Sequence, residues 1–384
     1  MNVPLIIFSS QDFDDLPTRK HRIAKKFASQ GSKVIYIEAP FTHLSALKDP
    51  TYRPKVERKG QIREVSPNLW VASPPPMMPF YGRFGFAQNS ACRTLASFAK
   101  KAIEKISFPK EFACLFYLPW MGLIIGMIKP KVALYDCVDD HAGYGGTSSK
   151  SFIERAEGEL CKKCDTVFVT ARSLTKRLSL FNPKTVYMPN AVDPELFRRQ
   201  VRPAPEIEKI PAPRVAYAGA LRWWFDTGLM LEIAQRMPKA NFIFIGSERN
   251  GELGEEGQKL RGLGNVHFLG KRPQEELPSL MSGASCGIIP FRQNSLIASV
   301  SPLKLYEYAS MGLPTVSVPM EELEGMPEDV VKIAKTPGDF ILEIGKAITE
   351  GPNKERMEDF VSKNTWEARI KTFEETLLGL WQEK

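Results

Sequence analysis

Apolar positions in this chain follow two rhythms. Short runs with no polar face alternate with longer stretches in which apolar residues recur every three to four positions. In the first half the short runs are LIIFSS (5–10), KVIYIEAP (33–40), ACLFYLP (113–119), KVALYDCV (131–138), TVFVTA (166–171) and TVYMPN (185–190). In the second half they are RVAYAGA (214–220), ANFIFIG (240–246), NVHFLG (265–270), CGIIPF (286–291) and PTVSVP (314–319). Helical patterns lie between them, at 17–30, 227–236, 255–262, 274–282 and 301–311. Strands apolar on both faces and separated by helices predict a parallel sheet covered on both sides. The pattern occurs twice, around a Pro-rich polar join at 198–213, and the tail 365–382 reads as one long helix. The expected fold is α/β, with two Rossmann-like doubly wound domains: 1–197, a linker at 198–213, and 214–364.

The length of 384 residues agrees with two cores rather than one. Charge divides at the same place. Residues 1–200 hold 30 Lys+Arg and 18 Asp+Glu, and the remainder holds 22 and 26, so +12 faces −4. A basic half suits nucleic acid, an anionic membrane surface or an acidic substrate. No aromatic-interleaved ribonucleoprotein motif, helix-turn-helix or zinc finger supports nucleic acid. The first strand is followed by SSQDFDDLP and the second domain's first strand by AGALRWWFD, so neither carries GxGxxG, which disfavours a nicotinamide or flavin dinucleotide. Cys161 and Cys164 form a lone CxxC, read as two helix cysteines rather than a zinc or redox pair. No apolar run reaches membrane-spanning length and no secretion signal is visible, so a cytoplasmic location is expected. No cluster with metal-ligand spacing is visible either, and neither a metal nor a cofactor is expected.

The stretch SPLKLYEYASMGLPTVSV (301–318) carries the most specific signal. Ser301 suits an N-cap, Pro302 the first helical position and Gly312 a left-handed C′ position. The helix between is apolar or small except for Lys304 and Glu307, which share a stripe with Tyr308 and Met311. One reading is an i,i+3 ion pair on a half-exposed helix. The other is a stripe facing a polar cleft, with the ammonium on a diphosphate and the carboxylate accepting from two neighbouring ribose hydroxyls.

Four segments together resemble GT-B glycosyltransferases of the glycosyltransferase 4-like group: PLKLYEYASMGLPTVSV, YMPNAVDPELF (187–197), AYAGALRWWFD (216–226) and ALYDCVDDH (133–141), the last similar to teichuronic-acid-type transferases. The resemblance implies the GT-B fold, with the nucleotide sugar on the second domain, the acceptor on the first, and the C-terminal helix 365–384 packing back on the first. It implies that Glu307 holds the ribose and Lys304 the diphosphate, and that the donor is UDP-linked. It also carries departures. Ser299 stands where many relatives have the first glutamate of a paired motif. Ala220 follows Gly219, and Asp226, which reads as a helix N-cap, stands where a lysine is usual. The arrangement is also similar to inverting bacterial glucuronosyltransferases of acidic exopolysaccharide synthesis, so the stereochemistry stays open.

Under that reading Arg222 or Arg292 and backbone N–H groups near Gly219 would assist Lys304 with the leaving diphosphate. Backbone around Gly246–Ser247 and Gly270–Arg272, with Lys271, would meet the base. If the reaction inverts, an acceptor hydroxyl needs a base, and Asp139 and Asp140 end the strand 131–138 where a cleft should lie. Either aspartate could serve, or both could turn the chain. Glu38, also at a strand end, Asp12 and Tyr81 are candidates for acceptor contact, although one of Asp12, Asp14 and Asp15 could instead cap the helix beginning near Pro17. His21 is read as structural or surface.

Residues 51–105 hold ten Lys+Arg against three Asp+Glu. Leu95, Phe98, Ala99, Ala102, Ile103 and Ile106 form a helical stripe, preceded by the loop PPPMMPFYGRFGF. Either the helix packs on its own sheet, or 74–106 meets the anionic cytoplasmic face of the inner membrane as a peripheral element and admits a lipid-linked glycan. The competing functions are a nucleotide-sugar epimerase or hydrolase on the same fold, which needs no acceptor region, and a nucleic-acid-binding protein.

Overall fold

A computed structural model describes residues 2–49, 52–143, 149–198, 201–248, 251–294 and 297–384. Part of the glycine-rich loop after His141 lies outside the described residues. The chain forms two compact units, Met1–Pro189 with Ile370–Lys384, and Asn190–Arg369. The segment read as a linker falls within the second, where Ile207 and Ile210 are buried in the core.

The first unit contains β1 (Leu5–Phe8), β2 (Val34–Ile37), β3 (Ile62–Ser66), β4 (Leu69–Ala72), β5 (Ala113–Phe116), β6 (Val132–Cys137), β7 (Thr166–Val169) and β8 (Thr185–Tyr187). Their order is β3-β4-β2-β1-β5-β6-β7-β8, and every neighbouring pair is parallel except β3–β4. Leu5 stands opposite both Val34 and Ala113. All residues of β1, β2, β5, β6 and β7 are buried, as their unbroken apolar runs require. The edge strand β3 reads IREVS and is half exposed, so it shows none of that signal. A tight turn joins it to β4 through Asn68, whose φ of 66° suits asparagine.

One face of this sheet packs under the helix Gly85–Lys105, through Leu95, Phe98, Ala99 and Ala102. The apolar stripe of that helix therefore belongs to the core. The other face packs under the helix Arg19–Ser29 and the C-terminal helix Trp366–Glu383. There Phe373 meets Phe168 at 5.1 Å and Phe27 edge-on at 5.8 Å between ring centroids. The cap of Arg19–Ser29 is Thr18, in a reciprocal box with His21, and not one of the aspartates before it. His21 is buried, and its Nε2 lies 3.0 Å from Asp12 O.

The second unit contains β9 (Arg214–Ala218), β10 (Asn241–Ile245), β11 (Val266–Gly270), β12 (Cys286–Ile289), β13 (Thr315–Ser317) and β14 (Val331–Ile333), ordered β11-β10-β9-β12-β13-β14 and parallel throughout. Strand order reverses between β9 and β12, the place where doubly wound sheets open a crevice at their carboxyl ends. Asp226 caps the helix Thr227–Arg236 by accepting from Leu229 N at 3.0 Å. The helix Leu303–Ser310 starts one residue later than expected. Pro302 occupies the cap, and Ser301 instead bonds Asn190, whose N–H donates to Ser301 Oγ at 3.2 Å. Gly312 has φ 72°, the left-handed conformation expected after that helix.

Candidate functional site

In the second unit the carboxyl ends of β9 and β10 meet through two glycines. Gly219 N donates to Ile245 O at 2.7 Å, and Gly246 N donates to Gly270 O at 2.9 Å. A Cβ on Gly246 would overlap Gly219 O, so only glycine permits this approach. A Cβ on Gly219 would overlap Cε and Nζ of Lys304, whose side chain lies across the bare glycine.

Leu305, Tyr306, Tyr308, Ala309 and Ser310 of the helix Leu303–Ser310 are buried, while Lys304 and Glu307 are half-buried. The stripe thus narrows to its two charges. Tyr308, expected to share it, turns to the sheet. Its ring fills the space over Gly287, and its hydroxyl accepts from Ala218 N at 2.9 Å. Lys304 Nζ sits 5.6 Å from the Tyr217 ring and 5.9 Å from that of Phe291. Among the described residues no hydrogen-bond or salt-bridge acceptor meets it. Burial pushes its pKa down, and the Glu307 carboxylate opposes that. Glu307 Oε1 accepts from Gln274 Nε2 at 3.2 Å. Gln274 lies 33 positions earlier, and nothing in its local sequence marks it.

The remaining candidates in this unit stand as follows. Arg222 is tied to Glu252 at 3.1 Å. Arg292 is exposed and donates from Nε to Phe225 O at 3.4 Å. Lys271 is exposed, and Arg272 pairs with Glu206 at 2.7 Å. Ser299 is buried at the end of the short turn Ile297–Ser299. Ser247 O already accepts from Leu221 N at 2.8 Å, so part of the backbone expected to meet a base is engaged within the fold.

In the first unit Asp139 and Asp140 follow β6. Asp140 pairs with Arg177 at 3.4 Å, and Arg177 also holds the fully buried Glu157 at 2.5 Å. Among the described residues His141 Nε2 is buried with no hydrogen-bond partner, and burial pushes the imidazole pKa down. Glu38 is buried, accepting from Phe13 N at 3.1 Å and Ser73 Oγ at 2.5 Å. Asp12 pairs with Lys55 at 2.9 Å, yet burial outweighs the ammonium and raises its pKa. Tyr81 packs on Trp120, with centroids 4.6 Å apart, and burial pushes its phenol up to about 12.

A buried cationic pair escaped the sequence reading. Arg19 lies 3.4 Å from Asp136 of β6, and Lys20 reaches Ser10 Oγ at 2.8 Å. Burial brings the Lys20 pKa down to about 8, against the pull of Asp136 and Asp139. Both residues sit in a run of basic residues that looks like an ordinary solvated helix face.

Residues 212–350 match the family described as glycosyl transferases group 1. TuaH of Bacillus subtilis (strain 168), named for a glycosyltransferase of teichuronic acid biosynthesis, is 25% identical over 237 residues. That match covers 58% of this chain and 59% of TuaH, so it spans well under two thirds of the relative. Three solved structures superpose over nearly the whole length. Sucrose-phosphate synthase from Thermosynechococcus elongatus has TM-score 0.70 at 15% identity, covering 100% of both chains. A trehalose-6-phosphate protein from E. coli bound with UDP-2-fluoro glucose has TM-score 0.70 at 10% identity, covering 99% of each. Anabaena HepE in complex with UDP-glucose has TM-score 0.67 at 13% identity, covering 98% of this chain and 100% of that one. With two parallel doubly wound sheets and these neighbours, the chain has the GT-B fold, and its residues 212–350 match the glycosyl transferases group 1 family.

Proposed function

We propose that this protein is a glycosyltransferase that moves a sugar from a UDP-sugar to a glycan acceptor carried on a membrane lipid. The observation that carries the reading is Lys304, a half-buried cation laid across Gly219 at the end of β9 that makes no salt bridge among the described residues. Holding a charge in such a place is costly unless a ligand supplies the counter-charge. A diphosphate does so, and Glu307, one turn further on and braced by Gln274, suits the ribose hydroxyls. HepE and the trehalose-6-phosphate protein bind UDP-glucose and UDP-2-fluoro glucose, which supports UDP as the nucleotide.

In transfer, the acceptor oxygen attacks the anomeric carbon, the bond from that carbon to the diphosphate breaks, and UDP leaves with its charge met by Lys304. If the transfer inverts, the acceptor's proton needs a carboxylate base, and Asp139 and Asp140 are the candidates. Thermal-shift measurements with UDP test the donor site. Wild type should be stabilised, while Lys304→Ala and Glu307→Ala should lose the shift and keep an unliganded melting temperature near wild type. Equal shifts in all three proteins would refute the assignment.

Membrane-side presentation of the acceptor rests on the loop before the helix Gly85–Lys105. Met78, Phe80, Phe84 and Phe86 are exposed, and Phe86 reaches 65%. The rings of Phe84 and Phe86 stack at 5.8 Å, and Arg83 lies 5.7 Å from Phe84. Further along the helix Gly85–Lys105 is a groove of 360 Å³ lined by Pro75, Arg93, Thr94, Ser97, Phe98 and Lys101. Aromatic rings edged with cations suit an anionic bilayer surface. No described helix is long and apolar enough to cross a membrane.

A further inference from the structure

We infer that Trp223 is a stacking platform for the pyranose ring of the donor, and so a residue that sets sugar affinity apart from nucleotide affinity. This deepens the proposed function and rests on it. Trp223 is on the loop between Gly219 and the helix cap Asp226. Backbone hydrogen bonds fix that loop on all sides: Leu221 N to Ser247 O at 2.8 Å, Arg292 N to Trp224 O at 2.7 Å, and Asp226 N to Pro290 O at 2.8 Å. Trp223 and Trp224 form the tip of a tight turn closed by Phe225 N donating to Arg222 O at 2.9 Å. Phe225 then bridges to Phe291 and is fully buried. Of the aromatic neighbours of Trp223, Trp224 is half-buried against the core and Phe225 is fully buried. Trp223 alone is left at 39% exposure, standing edge-on to Trp224 at 5.6 Å. Among the described residues of 190–369 it is the one aromatic side chain this exposed.

The charges of the loop point the same way. Asp226 is spent on the helix cap, Arg222 is tied to Glu252, and Ala220 offers nothing polar. The loop therefore gives a ligand backbone near Gly219 and an indole four residues on. A sugar beyond the diphosphate has an apolar C–H face that suits an aromatic plane. Because the turn is already fixed, stacking orders little new chain.

Calorimetric titration of the full chain tests this with UDP and with three UDP-hexoses: UDP-glucose, UDP-N-acetylglucosamine and UDP-glucuronic acid. In wild type at least one hexose should bind more tightly than UDP. Trp223→Ala should weaken that hexose by about fivefold while leaving UDP within about twofold, and Trp223→Phe should recover most of the loss. The inference is overturned if Trp223→Ala keeps the wild-type ratio of the two dissociation constants, if it weakens both alike, or if no hexose outbinds UDP in wild type. Failure of UDP itself to bind wild type would instead bring down the proposed function, and this inference with it.

Discussion

Lys304 and Lys20 are both removed from water, and their surroundings give them different tasks. Lys304 has aromatic rings and a bare glycine around it. Lys20 has internal neighbours: Asp136, Asp139 and Asp15 draw its proton closer, while Arg19 and burial push it away. Its folded pKa of about 8 lies below the ordinary lysine value of about 10.4. Below that folded value Lys20 is charged in both states, and the full penalty of burial is present. Between the two values the unfolded chain binds a proton that the folded chain does not, so stability rises with pH across this window. Urea unfolding at about pH 8 and about pH 10 should show wild type gaining on Lys20→Met; parallel behaviour would mean that Lys20 titrates like a free lysine. Lys304 was legible in the sequence because its helix is otherwise apolar. Lys20 was not, because its burial comes from the packed sheet, and Asp136, the charge that opposes it, lies on a strand more than a hundred positions away.

Among elements, the helix Leu303–Ser310 holds the candidate donor residues by one side-chain contact. Tyr308 fits over Gly287 in β12 and bonds Ala218 N in β9, so the helix is registered against the two strands that flank the switch in strand order. A methyl on Gly287 would meet the Tyr308 ring, which has no room to retreat in a packed core. Gly287→Ala is expected to cost about 1–3 kcal/mol by overpacking, measured by chemical denaturation. It should also weaken UDP binding, because Lys304 and Glu307 ride on the displaced helix. Gly287→Ala with unchanged stability would show that the ring is free to move. Periodicity found this helix and its flanking strands but set Tyr308 with the charges, since wheel geometry gives a face and not what fills it. The edge strands β3 and β14 were passed over for a related reason: an edge needs no apolar run, and Arg63, Glu64 and Lys332 hide it.

At the scale of the molecule, charge divides between the two halves of the chain. The basic residues gather in the first half of the chain, whose unit carries the exposed Phe80, Phe84 and Phe86. The second unit holds the candidate donor residues Lys304 and Glu307. Flotation with anionic vesicles should recover the protein, neutral vesicles should recover less, and salt should release it. Phe84→Ser with Phe86→Ser should abolish recovery without lowering the melting temperature, since both rings are exposed. Equal flotation on neutral and anionic vesicles would remove the electrostatic part of the proposal.

Sequence alone determined the alternation of buried strands and helices, the repetition of that alternation, the cap at Asp226 and the charged pair on an apolar helix. Each is a matter of local periodicity or turn chemistry, readable within a few neighbouring residues. Tertiary structure decided that Lys304 lies on Gly219, that Gln274 braces Glu307, that Tyr81 packs on Trp120 and that Trp223 stays exposed at the tip of a fixed turn. These depend on which distant strands become neighbours. Burial and hydrogen-bond partners are properties of that pairing, and a residue carries no mark of them until the sheet has formed.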